Sequence, residues 1–465
     1  MDAERSFERP AVAPDNSWSG HLRATLVLGL PLIGAQLAQM SIHVTDTVMI
    51  GQLGPEQLAA AVLSTQAFFL VWIFGSGFAQ AVMPLAANAQ GRGDIRGIRR
   101  SVRMGLWVIA LYAVAVMPPL WHFEAILVSL GQDPAVAARA GAFMRVLQWG
   151  MFPALGIMGL RSYLSVLGRA NVILLVTVAG ALINGLLAYA FIFGHFGAPA
   201  LGMQGAAYAS LGTNAAMCAI TVAYTVINPQ LKLYELYVRF WRPDWPAFFE
   251  VVRLGVPISL TVIAETGMFG ASTIMMGWLG AEALAAHGIA LQLASVAFMV
   301  PLGLSNAGTV RVGIAFGRGD WQGLGRAGYM ALALTMLTSG VAAVSFWLVP
   351  GTLIGLYLDT ANPHSVPVLA QGIAMLVIGG VFQLVDGLQV TGSALLRGLK
   401  DTRVPMLIAA FSYWGVGVPV AYLLAFPLGF GGPGIWWGLA AGLALAATLM
   451  CWRFHRRAAW GLTPG

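Results

Sequence analysis

The chain has 465 residues, 58% of them hydrophobic and 9% charged, with a formal net charge of +7 and a mean hydropathy of +0.78. Soluble domains carry roughly 25% charged residues. The deficit excludes a soluble enzyme, a disordered chain and a collagen-like fibre, and describes a surface that mostly faces lipid.

Nothing in the first 20 residues reads as a cleaved signal peptide: Asp2, Glu4, Glu8 and Asp15 stand beside Arg5 and Arg9, without a basic leader and short apolar core. Residues 1–22 are expected to form a solvated cytoplasmic tail. A bilayer-crossing helix needs about 20 apolar residues. Twelve stretches qualify: 24–50, 57–87, 103–121, 136–166, 171–195, 202–228, 250–278, 284–316, 327–350, 366–396, 404–427 and 434–454. Several exceed one bilayer thickness and are expected to tilt or to extend beyond it. The more polar stretch 229–249 divides the chain into an N-lobe, 23–228, and a C-lobe, 250–457, followed by a short cytoplasmic tail, 458–465. The fold class is therefore all-α and polytopic, with twelve transmembrane helices in two six-helix bundles. Cys218 and Cys451 both lie in apolar runs, and neither a disulfide nor a metal site is expected.

The basic residues set the orientation. With the N-terminus inside, 23 of the 25 Lys and Arg fall on the cytoplasmic side, and only Arg139 and Arg145 lie toward the outside. The outer loops carry Glu56, Glu124, Asp133, Glu282 and Asp359. This is a strong positive-inside bias, and it accounts for the basic balance without any nucleic acid. Both termini are expected in the cytoplasm, and the membrane is expected to be the plasma (bacterial inner) membrane.

The chain repeats itself. Shifted by 226 residues, Gly29 and Pro31 fall on Gly255 and Pro257, MIGQLGPEQLAA at 49–60 falls on MMGWLGAEALAA at 275–286, and GRGD at 91–94 falls on GRGD at 317–320. Over 28–100 there are 23 identities in 73 ungapped positions, where chance in so biased a composition gives on the order of 10%. Six spans per repeat keep both halves in the same orientation, a parallel repeat about an axis along the membrane normal. GRGD also matches a motif of intramembrane aspartyl proteases. Its recurrence at the ends of spans 2 and 8, among arginines, favours a loop at a helix end.

Three acids sit well inside spans: Asp46, Glu265 and Asp386. A charge at the bilayer centre costs at least ~2.5–3.5 kcal/mol on insertion scales, so it faces a cavity or a partner. No Lys or Arg is expected at comparable depth, which makes the interior acidic. Each acid belongs to a polar stripe at helical spacing. These are Gln36, Gln39, His43 and Asp46 on span 1; Thr261, Glu265 and Ser272 on span 7; and Gln383, Asp386, Gln389 and Ser393 on span 10. The repeat aligns Gln39 with Glu265 and Asp46 with Ser272, so each lobe keeps an acid where the other has a neutral polar residue. Pro31 and Pro257 interrupt the first helix of each half, and Pro31 is expected to act as a hinge. His122, His195, His287 and His364 lie near outer loops without metal spacing. Trp72, Phe69, Met268 and Phe382 are candidates for an adaptable apolar wall.

These residues resemble the multidrug and toxic compound extrusion (MATE) family over nearly the whole chain. The likeness rests on Pro31 with Asp46 in VTDTVMIGQLG, on Glu265, on Asp386 in the stretch ending SALLRGLKDTRVPM, and on INGLLAYAFIFGHFGAPALGMQGAA at 183–207. Acids at both Glu265 and Asp386 look like the NorM-type branch. The resemblance implies two six-helix bundles in a V that open alternately and expel organic cations in exchange for Na⁺ or H⁺. It carries over Asp46 and Asn184 as an N-lobe cation site. The family's Asn-x-x-x-Asp pair reads Asn184-x-x-x-Ala188 here, so that site lacks the pair's Asp. It places Glu265 and Asp386 around one cavity, where Na⁺ would bind. Two carboxylates in a dry site cannot both ionise cheaply.

The expected function is thus a secondary antiporter of amphipathic, mostly cationic small molecules, working in the lipid bilayer. It would be no enzyme and would need no resident cofactor, only the coupling ion. No obligate protein partner and no nucleic acid are implied. A lipid-linked sugar flippase of the same superfamily is the alternative, and its anionic cargo would call for interior arginines. A membrane aspartyl protease using Asp46 and Asp386 would need those residues to face each other, whereas they lie in opposite halves.

Overall fold

The computed structural model describes residues 17–358 and 365–464, including every side chain except those of Pro55 and Glu56. Asp359, His364 and most of the N-terminal tail lie outside these residues. Every regular element among the described residues is helical.

The N-lobe holds α1 (Trp18–Gly51), α2 (Pro55–Gly91), α3 (Ile95–Trp121), α4 (Phe123–Ser129), α5 (Pro134–Leu147), α6 (Met151–Val166), α7 (Ala170–Phe193) and α8 (Met203–Ile227). A one-turn helix, α9 (Pro229–Lys232), and a run of turns lead to the C-lobe. That lobe holds α10 (Trp245–Leu279), α11 (Ala281–Arg318), α12 (Trp321–Leu348), α13 (Pro350–Gly355), α14 (Ser365–Gly398), α15 (Arg403–Ala410), α16 (Val418–Ala425) and α17 (Gly431–His455). Eleven helices, counting α15 to α16 as one, are long and apolar enough to cross a bilayer. The remaining expected span, 136–166, is α5 and α6 joined by a single 3-10 turn at Gln148–Gly150. Between α15 and α16 the chain widens into a π-helix at Phe411–Gly417.

Local chemistry sets the helix ends. Both GRGD strings end one helix and start the next. Asp94 and Asp320 cap α3 and α12 by accepting from the Gly97 and Gly323 backbone N–H, each at 2.8 Å, the usual role of Asp at an N-cap. Gly54 and Gly280, aligned by the repeat, take the same backbone conformation, φ 103° with ψ 166° and φ 115° with ψ 168°. A side chain would strain that conformation. Pro31 and Pro257 are accommodated within α1 and α10, which run through them unbroken.

The lobes meet at the base-rich end of the bundle, through a pseudo-two-fold seam. A Cβ on Gly303 of α11 would lie 2.7 Å from the Ile33 nitrogen of α1, and one on Gly77 of α2 would lie 2.5 Å from the Ser259 nitrogen of α10. These contacts are images of each other, since Gly77 aligns with Gly303 and Ile33 with Ser259. Near the axis, a Cβ on Gly91 would lie 2.9 Å from the Gly317 Cα, and one on Gly317 would lie 3.1 Å from the Gly91 Cα. Small residues at these points allow backbone-to-backbone approach. Hydrogen bonds across the seam lie at the same end: Ser259 Oγ donates to the Phe74 carbonyl at 2.5 Å, Arg311 donates to His21 and Thr25, and Arg397 donates to Gln80 Oε1. Further along α1, His43 and Val48 are exposed. The lobes form a V closed at its base-rich end.

The segment between the lobes is strapped to the N-lobe. Arg99 pairs with Glu235 and Arg100 with Asp244, each at 2.5 Å. Arg103 donates to the Val238 carbonyl at 2.7 Å and Trp107 Nε1 to the Phe240 carbonyl at 2.9 Å. Four residues at helical spacing on α3 thus hold the strap.

Candidate functional site

Carboxylates and unpartnered buried polar atoms gather at two places, one in each lobe. In the C-lobe, Asp386 on α14 is 4% exposed, and its Oδ1 accepts no hydrogen bond. About one turn away on either side, Gln383 leaves both amide atoms unpartnered and Gln389 leaves its Oε1 unpartnered; both side chains are buried. Glu265 reaches in from α10 and interacts electrostatically with Asp386. Tyr413, in the π-helix, is fully buried, its hydroxyl unpartnered. It stands in electrostatic reach of both carboxylates and neighbours Gln389.

Native proteins pair nearly all of their buried polar groups, so a concentration of unpaired ones needs an explanation. The donors here are carboxylate, amide and hydroxyl oxygens, the hard ligands that suit a hard cation. A proton on either carboxylate would serve the same set by relieving the repulsion between the acids.

The N-lobe cluster is built on Asp46. Its Oδ2 accepts from Ser210 Oγ of α8 at 3.2 Å, and its Oδ1 has no partner. Asn184 of α7 stands beside it, fully buried with both amide atoms unpartnered. Ala188, where the family pattern carries Asp, is buried. Gln39 and Gln36 are half-buried about two and three turns from Asp46, and His43 is exposed.

Other expected site residues prove to be locally satisfied. Thr261 Oγ1 donates to the Pro257 carbonyl of its own helix at 2.8 Å. Ser272 Oγ donates to the Phe269 carbonyl at 2.7 Å and lies 3.5 Å from His287 Nε2. Although near an outer loop in sequence, His287 is buried in the C-lobe and accepts from Trp436 Nε1 through its Nδ1 at 3.2 Å. Met268 and Phe382 also depart from expectation. They are 0% and 2% exposed and pack in the C-lobe core, Phe382 against Trp436 with ring centroids 5.4 Å apart, where a close-packed interior leaves no adaptable surface. Phe69 remains exposed and stacks on Trp72 with ring centroids 5.8 Å apart.

The expectation of an interior without bases is corrected at Arg397. Near the end of α14, its side chain turns into the seam, donates to Gln80 Oε1 of α2 and interacts with the Glu265 carboxylate at Coulombic range. An arginine's reach of several ångströms along a flexible stem lets a residue near a helix end place its charge well inside. Sequence reasoning also passed over Ser210 and Tyr413, and set His287 aside as a residue near an outer loop. Only Tyr413 carried a signal: a polar aromatic in an apolar span, which needs a partner when buried.

The MatE family model matches the chain twice, over residues 31–190 and 257–423, with starts separated by the same 226 residues as the internal repeat. A curated relative from Rhizobium meliloti (strain 1021), "Probable multidrug resistance protein NorM", is 54% identical over 442 residues, covering 95% of each chain. A relative of the same name from Brucella suis biovar 1 is 41% identical over 458 residues, covering 98% of this chain and 97% of the other. Among solved structures, a crystal structure of MATE in the straight conformation superposes with a TM-score of 0.86 at 21% identity, covering 95% of this chain and 97% of the other. The eukaryotic MATE transporter AtDTX14 superposes at 0.82 with 19% identity, covering 96% and 100%.

Proposed function

The chain belongs to the MatE family, and on that premise we propose that it is a secondary multidrug exporter. In this reading it antiports amphipathic, mostly cationic compounds against Na⁺ or H⁺ by alternating access. The supporting observation is the Glu265–Asp386 pair amid unpartnered oxygens. A site so composed binds one cation at a time, ion or drug, and that exclusion is what couples the two fluxes. No bond in the cargo is made or broken, so the chain acts as a carrier rather than an enzyme. Its working location is the bacterial inner membrane, with the base-rich end and both termini in the cytoplasm, as the distribution of Lys and Arg supports.

Arg397 removes the simple charge argument against an anionic, lipid-linked cargo. What favours drugs is the relatives' printed name together with the two acids at the C-lobe cluster. Ethidium efflux from cells and from proteoliposomes, with and without an imposed Na⁺ or H⁺ gradient, tests the reading. Gradient-dependent uphill efflux supports it; gradient-independent or absent efflux overturns it.

A further inference from the structure

Arg397 occupies a place that the transport reading does not use. It lies on the same helix as Asp386, three turns further on. It crosses the seam between the lobes to donate to Gln80 Oε1 on α2. Gly398, next to it, packs on the Thr309 carbonyl and the Val312 side chain of α11, so this end of α14 is wedged against the C-lobe helix that itself meets α1 across the seam. Gln80 is itself steadied by Ser76, whose hydroxyl accepts from Gln80 Nε2 at 3.4 Å. The acceptor offered to Arg397 from the N-lobe is therefore a neutral amide. The negative charge that balances the guanidinium comes from Glu265, in its own lobe.

A buried guanidinium held only by a neutral amide is unstable, because its desolvation is not repaid. We propose that Arg397 is a positioning residue that bolts the base-rich end shut while Glu265 is charged, and that a cation bound at the Glu265–Asp386 pair releases the bolt. This deepens the antiport reading and rests on it. With the pair empty, the Glu265 carboxylate holds the guanidinium in the seam, where it also grips Gln80. When a cation occupies the pair, the carboxylate is neutralised and the occupant repels Arg397. The side chain then withdraws to water and Gln80 is released. The empty carrier with its base-rich end closed stays locked, and loading the pair frees that end to open. Neither a seam held by packing alone nor a purely structural arginine would respond to the charge of residue 265.

The test is the separation of spin labels at Arg96→Cys and Gln322→Cys, exposed positions on opposite lobes at the base-rich end, with Cys218 and Cys451 replaced. Glu265→Gln, which mimics the occupied pair, should raise the ratio of open to closed base-rich end on the order of tenfold, within the usual range of coupling between sites. In a Gln80→Ala background the same substitution should change that ratio little, because the bolt has already lost its socket. Gln80→Glu supplies a charged socket and should keep the end closed even with Glu265→Gln present. An equal response in the Gln80→Ala and parent backgrounds would overturn the bolt. Failure of Gln80→Glu to restore closure would overturn it as well. Ethidium efflux by the label-bearing parent reports on the transport reading separately. A chain that pumps but shows no Gln80-dependent response loses the bolt alone, whereas one that responds but does not pump loses the transport reading and with it the coupling role of the bolt, leaving a charge-gated seam. Monodispersity in detergent excludes misfolded variants from either comparison.

Discussion

Arg311 donates to His21 Nδ1 across the seam at 2.7 Å, and also to the His21 carbonyl at 2.7 Å. An arginine has only donors, so His21 Nδ1 must be the acceptor and the ring must be neutral, with its hydrogen on Nε2. His21→Gln keeps a side-chain acceptor at nearly the same reach and should preserve closure of the base-rich end. His21→Lys brings a second cation to Arg311 and should open it. Spin-label separation between the lobes checks both.

The Glu265–Asp386 pair carries the coupling in the proposed mechanism. Glu265→Gln and Asp386→Asn should each reduce uphill ethidium efflux at least ~100-fold, a loss of about 2.7 kcal/mol of driving interaction. Both variants should fold, because volume and hydrogen-bonding capacity are kept. Asp46→Asn should have a smaller effect, since the neighbouring Asn184 finds Ala188 where a second carboxylate would stand. Efflux from energised vesicles at matched expression checks the order. Normal pumping by the first two with a dead Asp46→Asn would move coupling to the N-lobe.

Gly91→Val and Gly317→Val put a branched side chain where a single Cβ already meets opposing backbone, the Ile314 carbonyl and Gly317 Cα in one case and the Asn88 carbonyl and Gly91 Cα in the other. Backbone cannot yield as a side-chain tip can. Each variant should shift the carrier away from the closed base-rich end and slow transport, with the lobes themselves intact. Distance measurements and thermal unfolding separate the two effects.

Asp244 caps α10 by accepting from the Ala247 N–H at 3.2 Å, and the Arg100 guanidinium beside it holds its carboxyl below the usual carboxylate range. Its contribution is present above the ordinary Asp range. It is lost as pH falls from that range through the lower folded value. Asp244→Ala should cost roughly 1 kcal/mol through the missing cap. It should also flatten the acid limb of thermal stability, measured in detergent between neutral and strongly acid pH.

Orientation follows from the bases. A cysteine in place of Gln57 should label from outside in intact cells and one in place of Gly93 should not; the reverse pattern would invert the topology.

Eleven of the twelve expected spans, the repeat and the three acids within helices were readable from the sequence, because lipid imposes long apolar helices and penalises unpaired charge wherever it occurs. The break within 136–166 was not, since Gln148–Gly150 tightens the helix without changing its apolar character. Tyr413 escaped for the opposite reason. Its direction is set by a π-helix, and stripe reasoning assumes 3.6 residues per turn. Arg397 was assigned to the cytoplasmic boundary by its position in the chain, yet its charge sits where its stem delivers it. His287 accepts from Trp436, 149 residues away, at 3.2 Å, a pairing invisible to spacing within either helix.

Gly91 and Gly317 are each other's images under the repeat, so the face that the N-lobe offers the C-lobe is close to the face it receives. That is the geometry of an isologous interface between two copies of one protein. A half chain covering residues 1–228 carries a surface shaped to meet a rotated copy of itself. Co-expressed halves, 1–228 and 229–465, have the same complementarity without a covalent link. In a symmetric pair every intramembrane acid would occur twice. Joining the copies into one chain is what lets Asp46 stand opposite Ser272, and Glu265 opposite Gln39, so that one lobe's chemistry can change without the other's.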